Sequence, residues 1–198
     1  LVAIIHPWES GRDNSVDWDD AFARVPTDGI APYTRRDTQH AAAEHRPTKE
    51  HYDRYLWLVE HFRALDWDNA RLHDASPFRI VDPGFNAILI RSAAELADLA
   101  QDLGDVDLAA ENRAYAVRGA AAMDSLWSEE HGQYLCPDRV SGALVDSRSV
   151  GGLLAVGVVL TRWPAVHWLE ADTFYMVLTA HGIDMLIYWI IFFEIAVL

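Results

Sequence analysis

Lysine and cysteine are almost missing from this 198-residue chain. Cys136 stands alone, which excludes an internal disulfide framework and any multi-cysteine metal site. Its plain reading is a small, semi-buried residue. Lys49 is the single lysine, and every other base is arginine. Bases are scarce altogether: 16 face 30 acids, and the formal charge of −14 argues against nucleic acid as a partner. This balance suits a halophilic source, where a protein stays soluble in concentrated salt; a GC-rich coding sequence gives the same arginine-for-lysine bias. No internal repeat, low-complexity tract or signal peptide is recognisable. Both ends look cut, because the chain opens at Leu1 inside the apolar run LVAII and stops inside another apolar segment. With 51% hydrophobic and 23% charged residues, the chain supports a packed core and is too apolar for disorder.

Charge is unevenly spread. Beyond position 150 only Arg162, Glu170, Asp172, Asp184 and Glu194 are charged, so the first 150 positions hold 26 acids and 15 bases. The stretch 174–198, FYMVLTAHGIDMLIYWIIFFEIAVL, contains two acids and no base. As one helix it spans about 37 Å at 1.5 Å per residue, more than a hydrocarbon core of about 30 Å. Trp163, Trp168 and Tyr175 cluster before it, as aromatic residues do at a membrane interface. A transmembrane-type helix is therefore expected there, with membrane association if it inserts. The soluble alternative is a buried hairpin in an all-helical core, since a helix apolar all round fits either solvent.

The first 149 positions read as all-α. A short helix is expected over 16–25, with Ser15 as N-cap and Pro26 as its stop. The polar stretch 26–46 looks like an exposed excursion. Longer helices are expected over 48–65, capped by Thr48, over 83–103, closed by Gly104, and over 106–126, where Gly119 is the one breaker. A turn-rich link over 127–139 suggests a hairpin around Gly132. Helices of this length without βαβ alternation indicate an all-α architecture.

Chemistry is densest in HPWESGRDNS, residues 6–15. A carboxylic acid beside an indole face is partly desolvated, which favours its protonated form. A general acid that protonates a glycosidic oxygen needs that property. Tryptophan also offers a flat face for a sugar ring, and Asn14 can bond hydroxyls. The plainer reading is a helix N-terminus, since Asp13, Asn14 and Ser15 are all capping residues.

HPWESGRDNSVDWD resembles the HPWESGxDNSPxWD signature of glycoside hydrolase family 63 and its mannosylglycerate and glucosylglycerate hydrolase relatives. It is also similar to the ESGWD stretch of trehalases. RPTKEHYDRYLWLVEHFR, DPGFNAILIRSAAELADLA and LWSEEHGQYLCPDRVSGALVDSRSVGGLLA resemble successive later segments, so the likeness covers about 1–154. It implies part of an (α/α)6 toroid of antiparallel helices over 1–149, in the cytoplasm, needing no cofactor. The implied activity is inverting hydrolysis of an α-glucoside or α-mannoside, glycosylglycerates among them, so the partner is a small carbohydrate. The resemblance makes Asp13 the general acid and places Trp8, Glu9 and Asn14 in the sugar-binding loop. Arg12 stands where a small or apolar residue is usual, and Val16 where proline is common. The family's general base, a glutamate, has no matching segment here. Glu129 and Glu130 read as solvated turn acids, so half of a catalytic pair is expected and the chain alone should be inactive.

The tail has a different likeness. TFYMVLTAHGIDMLIYWIIFFEIAVL resembles the second transmembrane helix of subunit I of haem-copper oxidases, and VGGLLAVGVVLTRWPAVHWLEAD resembles the segment before it. That resemblance would make His181 a haem axial ligand, in a segment 150–198 that lacks the remaining ligands. No metal is expected to bind here. Three readings follow: a truncated glycosidase, a fragment of a membrane electron-transfer protein, or a non-functional chimera joined near 149–155.

Overall fold

The computed structural model describes residues 1–36 and 46–145, all within the first of two compact units, Leu1–Ala155. The expectations for 150–198, including the apolar span and His181, lie outside the described residues, as does 37–45 of the excursion. Among the described residues no helix is long and apolar enough to cross a membrane.

Helices dominate, and local chemistry sets their ends. A 3-10 turn over Val16–Trp18, capped by the Ser15 hydroxyl, runs into α1, Asp19–Ala23. Helix α2, Lys49–Ala64, starts where Thr48 Oγ1 accepts the His51 N–H at 3.1 Å. Its buried Tyr55, Leu58 and Phe62 recur at helical spacing and face the core. Asp66 and Trp67 then take left-handed φ values of 55° and 56°, turning the chain sharply. Asp68 caps α3, Asn69–Ala75, a helix the sequence pattern does not announce because only Leu72 in it is buried. Helix α4, Pro83–Asp102, has Asp82 as cap and proline in its first turn. Gly104, at φ 81°, makes the turn into α5, Val106–Met123.

With three residues between them, α4 and α5 fold back into an antiparallel hairpin. Its seam is built of small side chains: Ala93, Ala97, Ala100, Ala109 and Ala116 are buried. Gly119 explains itself here, because a Cβ on it would lie 2.7 Å from Ile90 Cγ1. This is the pairing expected of a toroid, although the described residues do not close a ring.

Departures from an all-helical pattern are small and consequential. Trp127–Ser128 (β1) pairs antiparallel with Gln133–Tyr134 (β2) around Gly132, as the link suggested. A second hairpin, Cys136–Pro137 (β3) with Leu144–Val145 (β4), is unannounced in the sequence. Ile4 and Ile80 exchange backbone bonds of 2.8 and 3.0 Å, and Ile80 also bridges to Asp138. Three extended stretches thus lie side by side, one of them the apolar LVAII opening. Against them packs a core of large residues, including Trp18, Phe22, Tyr55, Leu58 and Phe78, which Cys136 joins from β3. Cys136, expected to be semi-buried, is 4% exposed because β3 carries it inside, and burial pushes its thiol pKa up.

Candidate active site

The loop that follows Ile5 is held from within. The Glu9 carboxylate accepts the N–H groups of Ile5 and His6 at 2.7 and 3.1 Å, closing a capping box over the 3-10 turn Pro7–Ser10. Gly11 takes φ 69°, which a side chain would disfavour, and reverses the chain. A second turn follows at once: Ser15 N–H donates to the Arg12 carbonyl at 3.0 Å, leaving Asp13 and Asn14 at its corner. Both are exposed.

Beneath that corner stands Tyr55 of α2, 1% exposed. Its hydroxyl lies 3.0 Å from the Asp13 carbonyl oxygen and 3.0 Å from Asn14 Oδ1, so one proton is shared between two acceptors. Burial, then the neighbouring Asp13 and Tyr52, pushes its pKa up to about 12, so it remains a donor throughout the physiological range. His6 is also buried. Its Nε2–H donates to the Tyr55 carbonyl at 3.2 Å, which leaves Nδ1 to accept the Trp8 N–H at 3.1 Å. Burial keeps the His6 pKa below its ordinary value, against the opposing pull of the Tyr55 carbonyl and the Asp13 charge. A neutral imidazole satisfies both bonds.

Trp8 stacks obliquely on His6 and Tyr55, with ring centroids 4.5 and 5.3 Å away, and leaves 45% of its surface exposed. It borders a cavity of about 490 Å³ with Glu9, Phe62, Trp67, Asn69 and Leu72. Asp13 and Asn14 are not part of that lining.

The structure therefore gathers the four residues singled out in the sequence into one short loop, with different duties. Trp8 presents an open aromatic face. Asp13 and Asn14 sit at a braced, accessible corner. Glu9 uses one carboxylate oxygen to hold the loop together. Glu129 and Glu130 are exposed in the β1–β2 turn, as expected of solvated acids. Nearer the loop, Asp17 and Asp82 are both engaged by Arg12, at 2.7 and 3.0 Å. Among the described residues no group of three or more His, Cys, Asp or Glu is arranged to hold a metal ion. Sequence reasoning missed Tyr55 and His6 as supports. In the sequence Tyr55 is only one apolar position on a helix face, and nothing local marks its hydroxyl as the brace of a loop 41 residues earlier.

Comparison with known proteins gives this geometry its family. A model of the mannosylglycerate hydrolase MGH1-like glycoside hydrolase domain matches residues 1–168, running through the junction expected near 149–155. A mannosylglycerate hydrolase of Selaginella moellendorffii is 46% identical over 154 residues, 78% of this chain and 32% of that protein. The mannosylglycerate hydrolase of Thermus thermophilus is 44% identical over 154 residues, covering 78% and 37%. Among solved structures, a crystal structure of a GH63 mannosylglycerate hydrolase from Thermus thermophilus in complex with Tris superposes with a TM-score of 0.74. It is 44% identical over 80% of this chain and 38% of that one. A complex of that hydrolase with Tris and D-glycerate gives 0.73 at 43% identity, over the same shares. The chain thus spans about a third of the length of the curated relatives it matches. These relatives are hydrolases and none is an oxidase, so the oxidase likeness of the tail gains no support. The chain belongs to the mannosylglycerate hydrolase MGH1-like glycoside hydrolase family.

Proposed function

We propose that this chain supplies the acid half of an inverting glycosidase site acting on an α-mannoside or α-glucoside of glycerate. The observation that carries the reading is a turn corner that leaves Asp13 exposed while the buried Tyr55 hydroxyl holds its carbonyl, with the half-exposed Trp8 ring packed on the same tyrosine. Asp13 gives its proton to the glycosidic oxygen as the bond to the anomeric carbon breaks. A second carboxylate, about 6.5–9.5 Å away, takes a proton from the water that attacks from the opposite face. Trp8 packs against the C–H face of the sugar, and Asn14 bonds a hydroxyl. Glu9 works at the cavity rim while holding the loop.

Glu9, Asp17 and Asp82 are committed to loop or ion-pair bonds, and Glu129 and Glu130 lie in a separate hairpin. In this reading the base comes from residues other than these, because the resemblance finds no segment here for the family's general base, and the chain is expected to turn nothing over by itself. The names of the relatives, mannosylglycerate hydrolase and, at 37% identity over 102 residues, the glucosylglycerate hydrolase of Mycolicibacterium hassiacum, support the substrate class. The reaction needs no cofactor, and the proposal sets it in the cytoplasm.

A segment graft tests the reading. Residues 1–154 replace the matching segment of the Thermus thermophilus hydrolase, and release of glycerate from mannosylglycerate and glucosylglycerate is measured. Hydrolysis of either, with the β-anomer of the sugar as first product, is expected. A folded, monodisperse graft that cleaves neither overturns the proposal.

A further inference from the structure

Arg12 opens the turn that carries Asp13, and Asp17 follows that turn directly after Ser15 and Val16. In the structure the two side chains meet. Arg12 Nη1 donates to Asp17 Oδ2 at 2.7 Å, and Nη2 donates to Asp82 Oδ1 at 3.0 Å. The Arg12 side chain is 18% exposed, whereas each carboxylate is 1% exposed. We infer that Arg12 is a positioning residue: its guanidinium clamps Asp17 and Asp82 together and thereby fixes the turn that presents Asp13. The inference rests on the proposed role of Asp13.

Each arm of the clamp is tied to a rigid element. Asp82 Oδ1 also accepts the Gly84 N–H at 2.9 Å, as the cap of α4. Asp17 Oδ2 also accepts the Ser15 hydroxyl at 2.8 Å, and the Ser15 oxygen accepts Arg12 Nη1 at 3.1 Å. The guanidinium carbon lies 4.8 Å over the Trp18 ring. The Trp18 indole N–H donates to the Arg12 carbonyl at 2.7 Å, the same oxygen that accepts the Ser15 N–H and closes the turn. The side chain of the residue next to Asp13 is therefore pinned, across 70 positions of sequence, to the cap of α4, and its backbone carbonyl is held by Trp18 and Ser15. Asp82 and Asp17 together outweigh burial and hold the guanidinium pKa above its ordinary value, so the cation is permanent. A planar fork reaches two carboxylates from two nitrogens in fixed directions, whereas an ammonium offers three donors on one nitrogen with no fixed plane.

The rival account is that the cluster merely fills the core, and a neutral variant separates the two. In Arg12→Met/Asp17→Asn/Asp82→Asn no buried charge is left unpaired, and asparagine still caps α4, so stability in urea should match that of the parent. Orientation should not be kept. In the graft, the triple variant and Arg12→Lys are expected to lower kcat about 10- to 100-fold with KM within about twofold, as small misplacements of reacting groups do. In the full 198-residue chain, hydrogen exchange of the Trp18 indole N–H should quicken about tenfold or more in both variants. A triple variant with parental stability, kcat and indole exchange overturns the inference. A graft that never hydrolyses a glycosylglycerate refutes the proposed function instead, and the indole exchange alone then decides for or against the clamp.

Discussion

Two regions of this chain are built on opposite principles. The α4–α5 hairpin is made of neighbours in sequence and small side chains, with alanines along its seam and Gly119 against Ile90. The loop region is made of strangers. Val2 bonds Asn86, Arg12 bonds Asp82 and His6 bonds Tyr55, at separations of 84, 70 and 49 residues, around large aromatic rings. Small residues let helices approach at low entropic cost but define few directions. Rings, ion pairs and buried hydrogen bonds are demanding to bury and are directional. The candidate site sits in the second kind of region, where a carboxyl can be aimed.

The largest expected effect breaks the comparison at its chemical end. In the graft described above, Asp13→Asn should lower kcat by about 10³-fold, the middle of what a general acid contributes, with KM little changed. Steady-state kinetics on mannosylglycerate checks this, and a loss below tenfold removes Asp13 as the acid. Next comes the packing of the loop region. Trp18→Ala removes a 1%-exposed indole and its bond to the Arg12 carbonyl, and should destabilise by about 4 kcal/mol in urea unfolding.

A smaller effect separates the regions by pH. The folded pKa of His6 lies below the ordinary 6.5, so its contribution is complete above about 6.5. It is lost as pH falls from there through the folded value, because the unfolded chain binds the proton more readily. Amide protection factors should therefore fall in the Trp8 loop over that window while those of α4 and α5 hold; His6→Gln should flatten the loop's response. The smallest effect belongs to the hairpin. Gly119→Ala gains about 1 kcal/mol of helix propensity but sets a Cβ 2.7 Å from Ile90 Cγ1. With overpacking of about 2 kcal/mol, the net loss should be about 1 kcal/mol, and adding Ile90→Val should recover part of it.

What could be read in the sequence follows the same division. Thr48 and Gly104 mark helix ends through local chemistry, so capping places the start of α2 and the end of α4 without the fold. Asp68 caps α3 by the same means, yet a seven-residue helix with one buried side chain leaves too little periodicity to notice. The second hairpin, β3 with β4, is two residues per strand, below the length at which alternation means anything. At the site, the residue types in HPWESGRDNS marked a chemically dense loop, and the family resemblance singled out Trp8, Glu9, Asp13 and Asn14 within it. They could not distribute the work: Glu9 and Asn14 are both short-range polar residues in one loop, and one closes a capping box while the other meets Tyr55.

By itself, then, the sequence determined the three long helices and the loop that carries the chemistry, because those depend on contacts within a few residues. Only the tertiary structure decided that Tyr55 stands under Asp13, that Ile80 is bridged by both Ile4 and Asp138, and that Arg12 reaches Asp82. Such contacts require closing loops of about 40 to 80 residues, and many partners of the same chemical type compete for each. Burial selects among them: an ion pair or a tyrosine hydroxyl is specific once water is gone, and water leaves only when the whole core has formed.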